Sequence, residues 1–144
     1  MSLAALVALL VAGCGKAEPA LQSSSPLPTP QPVKACDQVG DIDGEPKAKL
    51  PADVPLPGDW HVYESEGPFG KTTRYFAVTD GGPDDLPQRR DDASDILVEN
   101  GYKLLSKDQE EGAEAEAHLN GKHTVDIQVI SLCEGKLRIR YTVS

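Results

Sequence analysis

The order of apolar and polar positions divides the chain into three unlike stretches. Leu3 to Ala12 is an unbroken apolar run of ten residues. Gly15 to Lys34 shows almost no apolar periodicity, and from Trp60 onward short alternating runs are separated by glycine-containing turns. Alternation with a period of two marks a strand with one buried face, whereas a period near 3.6 marks a helix.

On that basis Trp60 to Glu66 and Lys71 to Thr79 read as two strands, joined by a turn containing Gly67, Pro68 and Gly70. Pro51 to Pro57 is an extended lead-in to the first of them. The loop Asp80-Gly81-Gly82-Pro83 leads to a predicted helix from about Asp85 to Asn100. Asp84 or Asp85 is placed to cap its first amides, Pro87 falls in the first turn, and Gly101 supplies a left-handed stop. Leu86, Ala93, Ile96, Leu97 and Val98 form its apolar stripe.

Tyr102 to Lys107 is then a strand. The stretch from Ala113 to Leu119 is ambiguous in composition, since Ala and Glu favour helix, but its strict period of two and the flanking Gly112 and Gly121 favour strand. Val125, Ile127 and Val129 continue the alternation in the next strand, and Leu137, Ile139, Tyr141 and Val143 in the last. A three-residue turn with Gly121 in its left-handed third position pairs Ala115 with Val125 and Ala113 with Ile127, so the apolar faces agree. The same logic at Cys133-Glu134-Gly135 pairs Val129 with Ile139 and Ile127 with Tyr141. The expected fold is α+β, an antiparallel sheet of about six strands in the chain order ββαββββ with one helix packed on it.

Composition narrows the function. The 144 residues carry 14 basic and 23 acidic side chains, a formal charge of −9. Such a balance repels nucleic acid, so no nucleic-acid partner is expected. With two Phe, four Tyr and one Trp, the roughly 110 residues left to fold need a staple beyond their core.

The apolar run Leu3 to Ala12 is too short to span a bilayer, because ten residues at about 1.5 Å each fall well short of its core of about 30 Å. It reads as the core of a signal peptide, against the plainer alternative of a buried amino-terminal helix with an incidental cysteine. The ending Val11-Ala12-Gly13-Cys14 resembles the lipobox of bacterial lipoproteins, which carry a type II signal peptide. The resemblance implies cleavage between Gly13 and Cys14, a diacylglyceryl group on the Cys14 sulfur, and anchorage to the cell membrane outside the cytoplasm. Two acyl chains sum to on the order of 20 kcal/mol of membrane affinity. No Lys or Arg precedes the apolar run, a departure implying that the natural start lies upstream.

Residues 14–35 then form a lipid-anchored tether, with five prolines and three consecutive serines between Gly15 and Lys34. Such a segment spans up to ~60 Å in polyproline II form. With residues 1–13 as signal peptide, residues 36–144 remain as a single α+β domain. At whole-chain level the sequence is similar to small lipoproteins of high-GC bacteria, particularly actinobacteria, a likeness that carries no activity with it.

Once the resemblance gives Cys14 to lipid, Cys36 and Cys133 are left as a pair, and an oxidising compartment makes a disulfide the first expectation. Free thiols or a metal site are the alternative, but no His or Cys stands beside either at ligand spacing.

No catalytic motif emerges. Asp37, Asp41, Asp43 and Glu45 invite a calcium reading, yet with Gly44 at the sixth position of such a loop, Val39 and Leu50 occupy the first and twelfth, where carboxylates are needed. The acidic turn reads as solvated. His61, His118 and His123 are dispersed, with His118 and His123 on opposite sides of an alternation, so neither a metal nor a cofactor is expected. Asp84-Asp85 and Asp91-Asp92, with Arg89-Arg90 between, describe a solvated helix face. Trp60, His61 and Tyr63 form a possible contact patch, although alternation puts Trp60 on one sheet face and the other two opposite, and core packing competes for Trp60. The function expected is a non-enzymatic interaction module of the cell envelope with a possible protein partner. Inhibition of a basic envelope hydrolase is one alternative, and a carboxylate-based hydrolase another.

Overall fold

The structure, a computed structural model, describes residues 34–110 and 112–144. The signal peptide, Cys14 and the tether as far as Val33 lie outside the described residues. Among these described residues six strands, β1 (His61–Phe69), β2 (Thr72–Asp80), β3 (Lys103–Glu110), β4 (Glu114–Asn120), β5 (Thr124–Cys133) and β6 (Lys136–Val143), form one sheet, and a single α-helix, α1 (Leu86–Glu99), follows β2. The α+β fold with the chain order ββαββββ is therefore as expected. In space the order is β1-β2-β6-β5-β4-β3, every neighbour antiparallel. The last strand of the chain lies in the interior of the sheet.

The elements differ from their sequence-level bounds for physical reasons. β1 continues through Gly67 and Pro68 to Phe69, and the chain reverses at Gly70-Lys71, where Gly70 has φ +65°. Pro68 is tolerated because β1 is an edge strand and has a ladder on one side only. β3 runs past Lys107 to Glu110, since backbone pairing with β4 holds Asp108 opposite Glu116 and Glu110 opposite Glu114 without any apolar pattern.

Helix α1 is preceded by a 3-10 turn, Pro83–Asp85, and the Asp85 carboxylate accepts a hydrogen bond from the Gly82 amide at 2.8 Å. Asp85 thus closes the turn before the helix, and neither it nor Asp84 caps the first helical amides as expected. At the other end Gly101, φ +90°, donates to the Val98 carbonyl and Tyr102 to that of Leu97. This is the paired arrangement that a left-handed glycine permits after a helix. The buried stripe is Leu86, Arg90, Ala93, Ser94 and Leu97; Ile96 is half-buried and Val98 exposed.

The two hairpin turns divide the register expectations. Around the last turn Val129 pairs with Ile139 and Ile127 with Tyr141, as expected. Around the preceding one, Asn120 pairs with Thr124, which places Ala115 opposite Val129, Ala117 opposite Ile127 and Leu119 opposite Val125. The ladder is displaced by an even number of residues from the expected one, so the apolar face is kept. The cause lies at Gly121, which does not take a left-handed conformation. A Cβ there would come within 2.8 Å of the Tyr102 ring, so this glycine serves close packing.

One face of the sheet carries the main core. Tyr75 and Ala77 of β2, Leu137, Ile139 and Tyr141 of β6, and the inward residues of β4 and β5 pack beneath α1, which contacts β5, β4 and β3. The β1–β2 side of that face is covered by the lead-in, through Val54, Trp60 and the half-buried Ala48, Leu50 and Leu56. A second, smaller cluster on the opposite face joins Tyr63, Phe76 and Val78 with Ile42 and Leu132. Cys36 and Cys133 form a disulfide, and the Glu134 amide donates to the Lys34 carbonyl beside it. The amino-terminal segment is thereby fastened to the β5–β6 turn before it crosses to the other side of β1. Every residue of both clusters and the disulfide lies between Cys36 and Val143.

Candidate interaction face

Alternation sends every second side chain of each strand away from the main core, and the antiparallel ladder arranges these in rows. One row reads Glu110, Glu114, Ile130, Arg138, Val78 and His61 from β3 to β1, and the next Asp108, Glu116, Gln128, Arg140, Phe76 and Glu64. The segment around Ile42 shields the β1–β2 end. The β3 to β6 part stays open, with its β4, β5 and β6 side chains half-exposed.

This open part is ordered by contacts among its own side chains. The Gln128 amide nitrogen donates to Glu114 Oε2 at 2.6 Å and to Glu116 Oε1 at 3.3 Å, which holds the two carboxylates side by side. His118 Nδ1 meets Asp126 Oδ1 at 2.7 Å across β4 and β5. Arg138 stacks its guanidinium over the Phe76 ring, 5.5 Å from the centroid. Among the described residues neither Arg138 nor Arg140 has a carboxylate within salt-bridge distance, and the Nε of each is covered without an acceptor. Two half-buried guanidinium groups without a counter-charge are unusual in so acidic a chain. Tyr63 lies against Arg138; burial pushes its phenol up, and Arg138 offsets part of the shift.

Two hollows flank this array. The larger, about 180 Å³, is lined by Asp43, Asp59, His61, Val78, Thr79, Asp80 and Lys136. A hydrogen bond from Lys136 holds the Asp80 carboxyl below the usual carboxylate range. The His61 ring donates through Nε2 to the Gly44 carbonyl at 2.8 Å, so that nitrogen is not available as a base. The smaller, about 130 Å³, is walled by Asp108, Gln109, Glu110, Glu114 and Glu116. Among the described residues no three His, Cys, Asp or Glu side chains converge to hold a metal ion. The acidic turn closes on itself, with the Asp43 amide donating to Asp41 Oδ1 at 3.0 Å.

The residues singled out from the sequence are placed as follows. Cys36 and Cys133 are joined, and Cys14 lies outside the described residues. Trp60 is 7% exposed in the main core and Tyr63 9% exposed in the smaller cluster, on the opposite face with the half-buried His61. The three do not form one exposed surface. His118 is on the open face, whereas His123 sits 3.3 Å from Asp53 of the lead-in, which also takes Lys122 at 3.4 Å. Burial pushes Asp53 upward, but a backbone hydrogen bond, Lys122 and His123 outweigh it and hold the carboxyl below its ordinary value. The arginine pair was missed, although Arg138 and Arg140 alternate with Leu137, Ile139 and Tyr141 and so had to share one face.

Comparison with protein-family models finds none that matches, and a search of the curated proteins finds no match either. Among the described residues no helix is long and apolar enough to cross a membrane.

Proposed function

We propose that the chain is a bacterial lipoprotein, anchored through Cys14 to the cell membrane outside the cytoplasm, and that its folded part is a non-enzymatic interaction module of the envelope. The observation that carries the second half is the uncompensated Arg138–Arg140 pair on β6, an interior strand at the border of the open part of the sheet face. A counter-charge from a partner would complete it. The lipobox and the proline-rich spacer support the first half, because they account for Cys14 and for a domain held away from the bilayer.

Metabolic labelling with a palmitate analogue tests the anchor: the wild-type chain takes label and sediments with membranes, and Cys14→Ala does neither. Label on Cys14→Ala, or none on the wild type, sinks the lipoprotein reading. The binding half is tested by in-cell cross-linking, in which a partner band must disappear in Arg138→Glu/Arg140→Glu but persist in Lys122→Glu, which lies in the β4–β5 turn and pairs with Asp53. A second reading, inhibition of a basic envelope hydrolase, is favoured by the acidic hollow between β3 and β4. It requires salt-sensitive binding that Glu114→Arg/Glu116→Arg abolishes.

A further inference from the structure

We propose that Arg138 and Arg140 together bind the phosphoryl group of a phosphomonoester. The inference rests on the reading of this face as an interaction surface and names the chemistry that it recognises.

Arg138 and Arg140 are two positions apart on β6, and side chains so spaced stand about 7 Å from one another when they rise straight from the sheet. Here they do not. Across the ladder Phe76 of β2 is the neighbour of Arg140, and Val78 that of Arg138. The Arg138 guanidinium nevertheless lies over the Phe76 ring, 5.5 Å from its centroid, so it leans out of its own row toward that of Arg140. Tyr63, which occupies the bulge of β1 and packs with Phe76 in the smaller cluster, lies against Arg138. Two positive charges are thus gathered beside one ring. The acids of the neighbouring strands do not relieve them. Gln128 holds Glu114 and Glu116, and His118 holds Asp126, the diagonal neighbour of Arg140. Arg74 takes Glu66, and Lys136 takes Asp80. Glu64, in the row of Arg140, stands two strands away at about 10 Å, farther than the ~8 Å over which charges are felt at physiological salt. The −9 charge of the chain is screened at that range in the same way.

Nε of each guanidinium is covered without an acceptor, and none of the Nη nitrogens is, so the outer ends of both forks remain for a ligand. A carboxylate offers two oxygens and one negative charge, which a single fork satisfies. Two forks side by side call for more. A phosphomonoester supplies three strong acceptor oxygens and a charge of about −1.5 to −2 near pH 7. Planar guanidinium groups match such oxygens better than ammonium groups do, and the Phe76 ring fixes Arg138 in advance, so little side-chain freedom is lost on binding. The segment carrying Ile42 walls the site toward β1 and β2, and the half-exposed Gln128 leaves it open toward β5.

The test uses residues 15–144, which retain both clusters and the disulfide, and follows the arginine Nε–H resonances by NMR while inorganic phosphate or glycerol phosphate is added to about 50 mM at constant ionic strength. Those of Arg138 and Arg140 are expected to move together and to saturate with a Kd on the order of 1 mM, whereas acetate binds at least about 10-fold more weakly. Arg138→Gln/Arg140→Gln is expected to weaken phosphate binding by about 100-fold, and Arg89→Gln, on α1, to leave it unchanged. Flotation with phosphatidylcholine vesicles containing phosphatidic acid separates two sources of the group. Vesicle capture of the wild type assigns it to a lipid headgroup, and glycerol phosphate binding without capture to a soluble molecule; both carry the proposal. Resonances that stay still at the highest phosphate concentration, acetate that binds as well as phosphate, or undiminished binding by Arg138→Gln/Arg140→Gln overturns it. The first two outcomes need no variant, so a misfolded one cannot shelter the proposal. If phosphate fails to bind but charge reversal still abolishes the cross-linked partner, phosphoryl recognition falls and the interaction-face reading stands.

Discussion

Gly121 illustrates how one residue sets a register. Its missing side chain leaves room for the Tyr102 ring, which would otherwise meet a Cβ at 2.8 Å, 3.0 Å and 3.1 Å through three ring carbons. Gly121→Ala is therefore expected to destabilise by about 1 to 3 kcal/mol, read as a lowered urea midpoint. Gly58→Ala, with nothing within 4 Å of the new methyl group, should stay within about 0.5 kcal/mol. Equal effects would show that the Tyr102 contact does not decide the turn. The sequence reading gave Gly121 a left-handed role, because a glycine between two strands is usually there for its backbone freedom. A contact with a ring that lies 19 residues away in the chain leaves no local trace. Gly101 was legible for the opposite reason: its task, ending a helix, is local.

Helix α1 shows the same division at the scale of an element. Its apolar residues revealed its existence and inward direction, but its buried stripe includes Arg90 and Ser94, whose polarity disguised them. Ser94 returns its hydroxyl to the Asp91 carbonyl at 3.1 Å. Arg90, 8% exposed, donates Nε to Asp91 at 2.9 Å and Nη1 to the Asp108 carbonyl of β3 at 3.0 Å, and Lys107 reaches the same Asp91 oxygen at 2.8 Å. What reads in sequence as a solvated charge run is on one side the fastening of the helix to the edge strand. Burial pushes the Asp91 carboxyl up, but hydrogen bonds from Arg90 and Lys107 outweigh it and leave the group below its ordinary value of 3.8. A depressed native pKa stabilises fully above the unfolded value and is lost as pH falls through the native one. Urea midpoints should therefore fall as the pH drops below the ordinary carboxylate range and through the depressed native value, and more shallowly in Asp91→Asn. That variant should lose about 1 kcal/mol or less at neutral pH, since the carboxylate is partly exposed and screened. An unchanged pH slope would remove Asp91 from this role.

For the whole molecule, the αβ order was legible from periodicity, and the cysteine pairing once the resemblance to a lipobox set Cys14 aside. The strand order in space was not, since alternation says which face a residue takes and nothing about which strand is its neighbour. The Cys36–Cys133 link closes a separation of 97 residues and fastens the amino-terminal segment to the β5–β6 turn. By loop-closure entropy, Cys36→Ser/Cys133→Ser should cost about 4 to 5 kcal/mol, with faster hydrogen exchange concentrated in residues 34–44. A loss below about 1 kcal/mol would assign the bond little structural weight. The interior position of β6 has a consequence for how such a chain can be made. Until Lys136–Val143 arrives, the β1–β2 hairpin and the β3–β4–β5 meander share no strand pairing. A polypeptide emerging amino end first from a ribosome thus cannot join these two halves of its sheet before Lys136–Val143 are free to pair with both β2 and β5.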